Sequence, residues 1–143
     1  MKITQFIFDK KYNFLMGFLI SFCLGILLQL IGLVWEYAWI LLIFAGVFGG
    51  VLVKEGLKAF FVGFLGTFMS WIIYFLIHFI NGSLIEFANL IARILGLGEM
   101  GLIIIILALI VGGLIGGLGG LNGCYLSRIV FKKSKFSSEH DLI

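Results

Sequence analysis

Leu102–Leu126, LIIIILALIVGGLIGGLGGLNGCYL, is a run of 25 residues without a formal charge. At ~1.5 Å per residue, a helix of that length crosses a ~30 Å hydrocarbon core. Seven of the twelve residues from Gly112 to Gly123 are glycine. At about 100° per residue, Gly112, Gly113, Gly116, Gly117, Gly119, Gly120 and Gly123 gather within roughly 160° of the helix circumference. Leu114, Ile115, Leu118 and Leu121 take the opposite side. In water each glycine would disfavour the helix by about 0.5–1 kcal/mol relative to alanine. In lipid an unpaired amide costs more, so the helix holds, and its bare face admits another backbone. The stretch reads as the packing seam of a membrane bundle.

The rest of the chain agrees with that reading. Its 143 residues are 62% hydrophobic and 12% charged, with a mean hydropathy of +1.23, far from the composition of a soluble domain. One small polytopic membrane domain accounts for the whole length. Proline is absent, so no helix is broken by that route. The net charge of +3 is explained by where the basic residues sit, and nucleic acid is not an expected partner. Cys23 and Cys124 make no metal or redox spacing. With one mid-span and the other near a span end, they lie ~15 Å apart in depth and cannot bridge. Both are expected to be buried small hydrophobes. The basic N-terminus precedes an apolar run too long for a signal peptide, without a small-residue cleavage site. Phe22 places a bulky residue where a lipoprotein site needs a small one.

Four spans are expected, at about 14–34, 37–53, 59–81 and 102–126. Trp35, Glu36, Tyr37 and Trp39 form an aromatic turn suited to a membrane–water interface. Lys54–Lys58 makes the next turn, and a basic tail occupies 127–143. Nine of the ten Lys and Arg fall before the first span, in the 54–58 turn, or in the tail; only Arg93 lies on the other side. The positive-inside rule then puts both termini in the cytoplasm of a cell-membrane protein and the 82–101 connection outside.

That outer connection carries a helical pattern at about 83–95. Ser83 followed by Glu86 resembles a capping box. Ser83, Glu86, Asn89 and Arg93 make a narrow polar stripe in an otherwise apolar segment, and Gly96 and Gly98 close it. A short helix in the outer interface, or one tucked over the bundle, is expected. Glu36 or Glu86 is the expected partner of Arg93.

An internal repeat is also legible. Leu15–Ile31 aligns without a gap on Phe61–Ile77, with identities that include Gly17/Gly63, Phe18/Phe64, Phe22/Phe68 and Ile26/Ile72. In the following spans, Gly46, Gly49 and Gly50 align on Gly113, Gly116 and Gly117. The pattern is that of two helical hairpins in one orientation, related by an axis along the membrane normal.

Two spans have polar or small stripes. Gly17, Ser21, Gly25, Gln29, Gly32 and Glu36 share one face of the first. Gly63, Gly66, Thr67, Ser70, Tyr74, His78 and Asn81 do the same in the third. Such stripes face a bundle interior, where small residues allow close approach and hydroxyls and amides hydrogen-bond across helices. The sharper alternative is a polar pathway lined by Gln29, Glu36, Ser70, Tyr74 and His78, since polar groups inside a bilayer are costly and often functional. Helix packing is assigned to Gly46, Gly50, Gly112, Gly116, Gly120 and Gly123. No catalytic constellation, cofactor motif or metal spacing is present, and the glycines follow no strand as a dinucleotide fingerprint requires.

The glycine-rich end of the second span, the GFLG start of the third (63–66) and GGLIGGLGGLNG (112–123) together resemble small glycine-rich four-span archaeal and bacterial membrane-protein families of unknown function. The likeness covers Phe14–Tyr125 and implies no activity. The arrangement is also similar, at the level of fold, to four-span glycine-zipper proteins of mitochondrial import. The expected fold is all-α, an integral membrane four-helix bundle with an outer interfacial helix. The expected function is non-enzymatic: the protein packs or assembles through its glycine faces, in the lipid bilayer and with itself as partner. The rival is an oligomeric channel or small-solute transporter whose substrate the sequence does not name.

Overall fold

The structure, a computed structural model, describes residues 13–32, 41–80 and 82–140. These residues form five helices and no strand: α1 (Asn13–Gly32), α2 (Leu42–Val51), α3 (Gly56–Ile80), α4 (Ser83–Ile94) and α5 (Gly101–His140). The expected all-helical class is observed. By length and composition, α1, α3 and the Gly101–Val130 part of α5 are each able to cross a membrane. The 10-residue α2 is ~15 Å long, half of a hydrocarbon core. The remainder of the expected second span, with Trp35, Glu36, Tyr37 and Trp39, lies outside the described residues. Helix α5 runs 40 residues, so the segment expected as a tail from Ser127 is helical as far as His140.

Four of the helices form one bundle. Helix α5 packs on α2 and α3, α1 packs on the same two, and α2 touches α3 across the short diagonal. The order around the bundle is therefore α1, α2, α5, α3. Neighbouring glycines give the directions. Gly46 lies on Gly116 and Gly50 on Gly120, so α2 and α5 run parallel. Ser21 lies on Gly66 and Gly25 on Ser70, so α1 and α3 are also parallel. Gly17 meets Gly49, and Phe60, Phe64 and Trp71 meet Gly117, Gly113 and Gly112 in reverse order, so the α1/α2 and α3/α5 pairs are antiparallel.

Glycine is required at these crossings for a steric reason. A Cβ added at Gly46 would strike the Gly116 carbonyl, one at Gly50 the Gly120 carbonyl, and one at Gly123 the Val47 carbonyl. Gly119 meets the Ile43 carbonyl in the same way, and Gly120 meets that of Ala59. Each obstacle is backbone, which cannot rotate aside. Where α5 meets α3 higher up, aromatic rings fill the space that the glycines leave. Phe60 covers Gly117, Phe64 covers Gly113, and the Trp71 indole covers Gly112. Phe60, Phe64 and Phe68 stack along α3 with ring centroids 6.0 and 5.7 Å apart.

The polarity of the bundle is inverted relative to a soluble protein. All seven glycines of Gly112–Gly123 are buried, together with Ala45, Ala59, Val62, Cys124, Ser21, Thr67 and Ser70. The large apolar side chains point outward, among them Leu19, Leu27, Phe44, Phe48, Phe61, Leu114 and Leu118. Cys23 is exposed on this outer surface, contrary to the expectation that both cysteines are buried; it falls away from the face defined by Gly17, Ser21 and Gly25. Both cysteines are free thiols.

Helix α4 closes one end. Its N-cap is Gly82 in the left-handed region (φ 77°), so Ser83 is the first helical residue and not the N-cap that the expected Ser83–Glu86 capping box requires. The C-terminus is a Schellman turn at left-handed Gly96: Leu97 N–H donates to Ala92 O (2.8 Å) and Gly96 N–H to Arg93 O (3.0 Å). Ala88 and Ala92 are buried, and Gly101 of α5 lies against the backbone of Ala88 and Asn89. Phe87, Leu90 and Ile94 project from one flank and Glu86 and Arg93 from the other.

Leucine at Gly116 or Gly120 is expected to lower stability in detergent by ~1–3 kcal/mol or more, because the added branch meets backbone. Leu118→Ala, at a side chain 54% exposed, is expected to change stability by under ~1 kcal/mol. Thermal unfolding followed by circular dichroism compares the three variants with the parent.

Candidate functional site

The polar groups inside the bundle lie along the α1/α3 seam and at the α3/α5 contact. Gln29 Nε2 donates to Ser70 Oγ at 3.4 Å, and Ser70 Oγ donates to Thr67 O at 2.8 Å. Thr67 Oγ1 donates to Gly63 O at 2.7 Å, and Gly112 O of α5 lies 3.3 Å from the same oxygen. Each hydroxyl mainly satisfies a carbonyl one turn back, which is how Ser and Thr are accommodated within helices. The third-span stripe divides between two neighbours: Gly66 and Ser70 face α1, while Gly63 and Thr67 face α5. A stripe about 120° wide at the corner of a four-helix bundle meets both adjacent helices at once.

Three buried polar atoms have no hydrogen-bond partner among the described residues: Asn13 Oδ1 at the start of α1, Ser21 Oγ and Trp71 Nε1. Ser21 is wholly buried, beside Gly49 and Gly66. The Trp71 indole nitrogen lies over Gly112.

Further along α3, Tyr74 and His78 are half-buried with ring centroids 4.2 Å apart. His78 Nδ1 lies 3.0 Å from Tyr74 O. A carbonyl only accepts, so Nδ1–H is the donor in this contact. Of the proposed pathway residues, Gln29 and Ser70 are joined directly, and Tyr74 and His78 continue the same helix face one and two turns on. Glu36 lies outside the described residues.

The outer end has its own polar contacts. Arg93 pairs with Glu99 at 2.5 Å, where Glu86 was one expected partner; Glu36, the other, lies outside the described residues. The Gly96 and Gly98 turns bring Glu99 back beside the last turn of α4, a reversal that spacing alone does not reveal. Asn89 Oδ1 accepts from Gly101 N–H at 2.8 Å and so caps α5 across the turn. Glu86, Asn89, Leu90 and Arg93 line a shallow groove of about 220 Å³. An apolar groove of about 300 Å³ runs between α3, α4 and α5, walled by Phe75, Phe79, Leu84 and Leu102 among others.

Sequence reasoning overlooked Phe60, Phe64 and Trp71 as partners of the glycines. The signal was present: aromatics at 60, 64 and 71 step by four and seven residues and so share one face of a helix. Among the described residues no group of three or more His, Cys, Asp or Glu is placed to hold a metal ion. Comparison with protein-family models, with curated proteins and with solved structures found no match.

Thr67→Val and Ser70→Ala are each expected to destabilise by ~0.5–1 kcal/mol, the scale of single hydrogen bonds between membrane helices. Asn89→Ala should cost ~0.5–2 kcal/mol through the lost cap. Its effect should concentrate at the start of α5, read as faster amide hydrogen exchange at Gly101 and the residues that follow.

Proposed function

We propose that the chain is a small, non-enzymatic, multi-pass integral membrane protein of four spans, with a rigid core held by glycine seams. The observation that carries this reading is the inverted polarity: glycine, alanine and hydroxyl residues inside, leucine and phenylalanine outside. Such a surface is stable against lipid and would aggregate in water. Both termini are assigned to the cytoplasm of a cell-membrane protein on the nine-to-one partition of Lys and Arg. The polar ends of α3 fit the thickness of a bilayer: His78 lies 20 residues after Lys58, or ~30 Å along the helix.

The glycine contacts bear on how the protein packs. Gly46, Gly50, Gly112, Gly116, Gly120 and Gly123 all meet residues of the same chain. The seams therefore serve the fold of the monomer, and self-association would use other surfaces.

The same contacts support descent from a duplicated hairpin. Gly17 and Gly49 face one another, so that a Cβ added to either would stand 2.6 Å from the other's carbonyl oxygen, and Ser21 lies beside Gly49. At the aligned positions Gly63 faces Gly116, with Thr67 beside it. The repeat read from residue identities is thus mirrored by equivalent contacts.

One observation favours a second reading, a channel or small-solute transporter: the Gln29–Ser70–Thr67 chain with unpartnered Ser21 and Trp71 close by. The two readings part in liposomes. A structural or assembling protein is expected to give no flux of ions or small solutes. A transporter gives flux that Gln29→Ala and His78→Ala reduce.

Topology has its own test. In a background lacking Cys23 and Cys124, single cysteines at Ser134 and Asn89 should label from opposite sides of the membrane. Labelling of both by an impermeant reagent added outside overturns the four-span reading, as does release of the chain from membranes by alkaline carbonate.

A further inference from the structure

We propose that the turn at residues 54–58 and the facing segment of α5 around Arg128 form a docking site for the phosphodiester headgroups of anionic phospholipids. The inference rests on the membrane reading above and adds a ligand to it. Depth is the first argument. The exposed surface of α5 is aliphatic at Val111, Leu114 and Leu118, then changes at Asn122 and Tyr125. Asn122 lies 21 residues after Gly101, or ~32 Å along the helix, about the thickness of the hydrocarbon core. Tyr125 and Arg128 then fall within the headgroup layer, where tyrosine and arginine are at home.

Charge is the second. Residues 54–58 and 128–135 contain six Lys and Arg against a single carboxylate, Glu55. Glu55 pairs with Lys58 at 2.8 Å. Lys54 has no carboxylate partner among the described residues, and neither has Arg128. In the sequence, Lys132, Lys133 and Lys135 follow Arg128 within seven residues. The opposite end of the bundle is different in kind: Arg93 is matched there by Glu99, with Glu86 close by.

Geometry is the third. Arg128 Nη2 donates to the carbonyl of Lys54, in the turn that follows α2, and the guanidinium carbon lies 5.6 Å from the centre of the Tyr125 ring. These contacts hold the guanidinium in place and use one of its five N–H groups. The donors that are left form a planar fork suited to two phosphate oxygens, with the Lys54 ammonium as a second positive charge on the same turn. A basic cluster at the membrane surface attracts anionic lipid by about fivefold in affinity per residue.

The test uses the full chain purified in detergent, with phosphatidylglycerol, phosphatidylcholine of the same acyl chains, and inorganic phosphate as probes. Phosphatidylglycerol is expected to be retained in native mass spectrometry and to raise the melting temperature, and phosphatidylcholine to do neither. Arg128→Gln and Lys54→Gln should each cut phosphatidylglycerol retention about fivefold, while Arg93→Gln at the other end leaves it unchanged. Lys54→Gln keeps the carbonyl that Arg128 uses, so it tests the site even where Arg128→Gln loosens the fold. Equal retention of the two lipids overturns the proposal, as does parental retention in Lys54→Gln. A stabilisation by inorganic phosphate as large as that by phosphatidylglycerol also overturns it, in favour of a free-anion site. A chain that stays in carbonate-washed membranes without an anionic preference refutes this site alone. One that washes out refutes the membrane reading beneath it.

Discussion

The approach of α2 and α3 to the glycine face of α5 is the constraint on which the other features depend. The Gly116, Gly120, Val47 and Ala59 carbonyls occupy the places where side chains would stand. At that separation dispersion is gathered between backbones, and Cα–H groups of glycine can face carbonyl oxygens of the neighbouring helix. Lipid supplies no hydrophobic drive for helices to associate, so this fit is where the stability of such a bundle has to come from. The entropic penalty that glycine carries in water is reduced because an unfolded, unpaired backbone is not an alternative in hydrocarbon.

Helix α5 is the hub because its glycines serve two partners at once. Gly119 and Gly123 accept α2, Gly112, Gly113 and Gly117 accept the aromatics of α3, and Gly116 and Gly120 touch both. Helix α1 joins from the far side through Gly17 and Gly25, with Ser21 and Ser70 in the seam. Hydroxyls are tolerated there because each is small, and Thr67 and Ser70 return their protons to their own helix. The polar residues are thus compatible with dense packing. Any permeation role for them depends on the unpartnered polar atoms at Ser21 and Trp71 rather than on a visible lining of charge.

The two ends of the bundle differ because the chain treats them differently. At one, the α2–α3 turn is locked to α5 by Arg128, and basic residues accumulate beyond it. At the other, α4 lies across the start of α5, tied by Ala88, Ala92 and the Asn89 cap, with an apolar flank and a polar one. A helix with three such faces fits the rim of a membrane protein, where bundle, lipid and water meet.

Much of this architecture follows from the chain alone. Helix class, the long apolar segments of α1, α3 and α5, the helix at 83–94 and its glycine stop were legible because periodicity and composition act locally. The bare face of α5 was legible for the same reason, since glycine spacing at about 100° per residue needs no knowledge of neighbours. What met that face was not. Whether Gly116 lies on Gly46 or on another chain, whether Cys23 points in or out, and whether Arg93 takes Glu86 or Glu99 depend on helix rotation and on a reversal of the chain. Those are set by the summed fit of whole surfaces, in which leucine, isoleucine and phenylalanine are nearly interchangeable to a one-dimensional reading. The sequence by itself determined which faces are bare, which are aliphatic and where the charges stop. Only the tertiary structure decided that the bare faces are used up within one chain, because α2 and α3 already occupy the space beside those glycines.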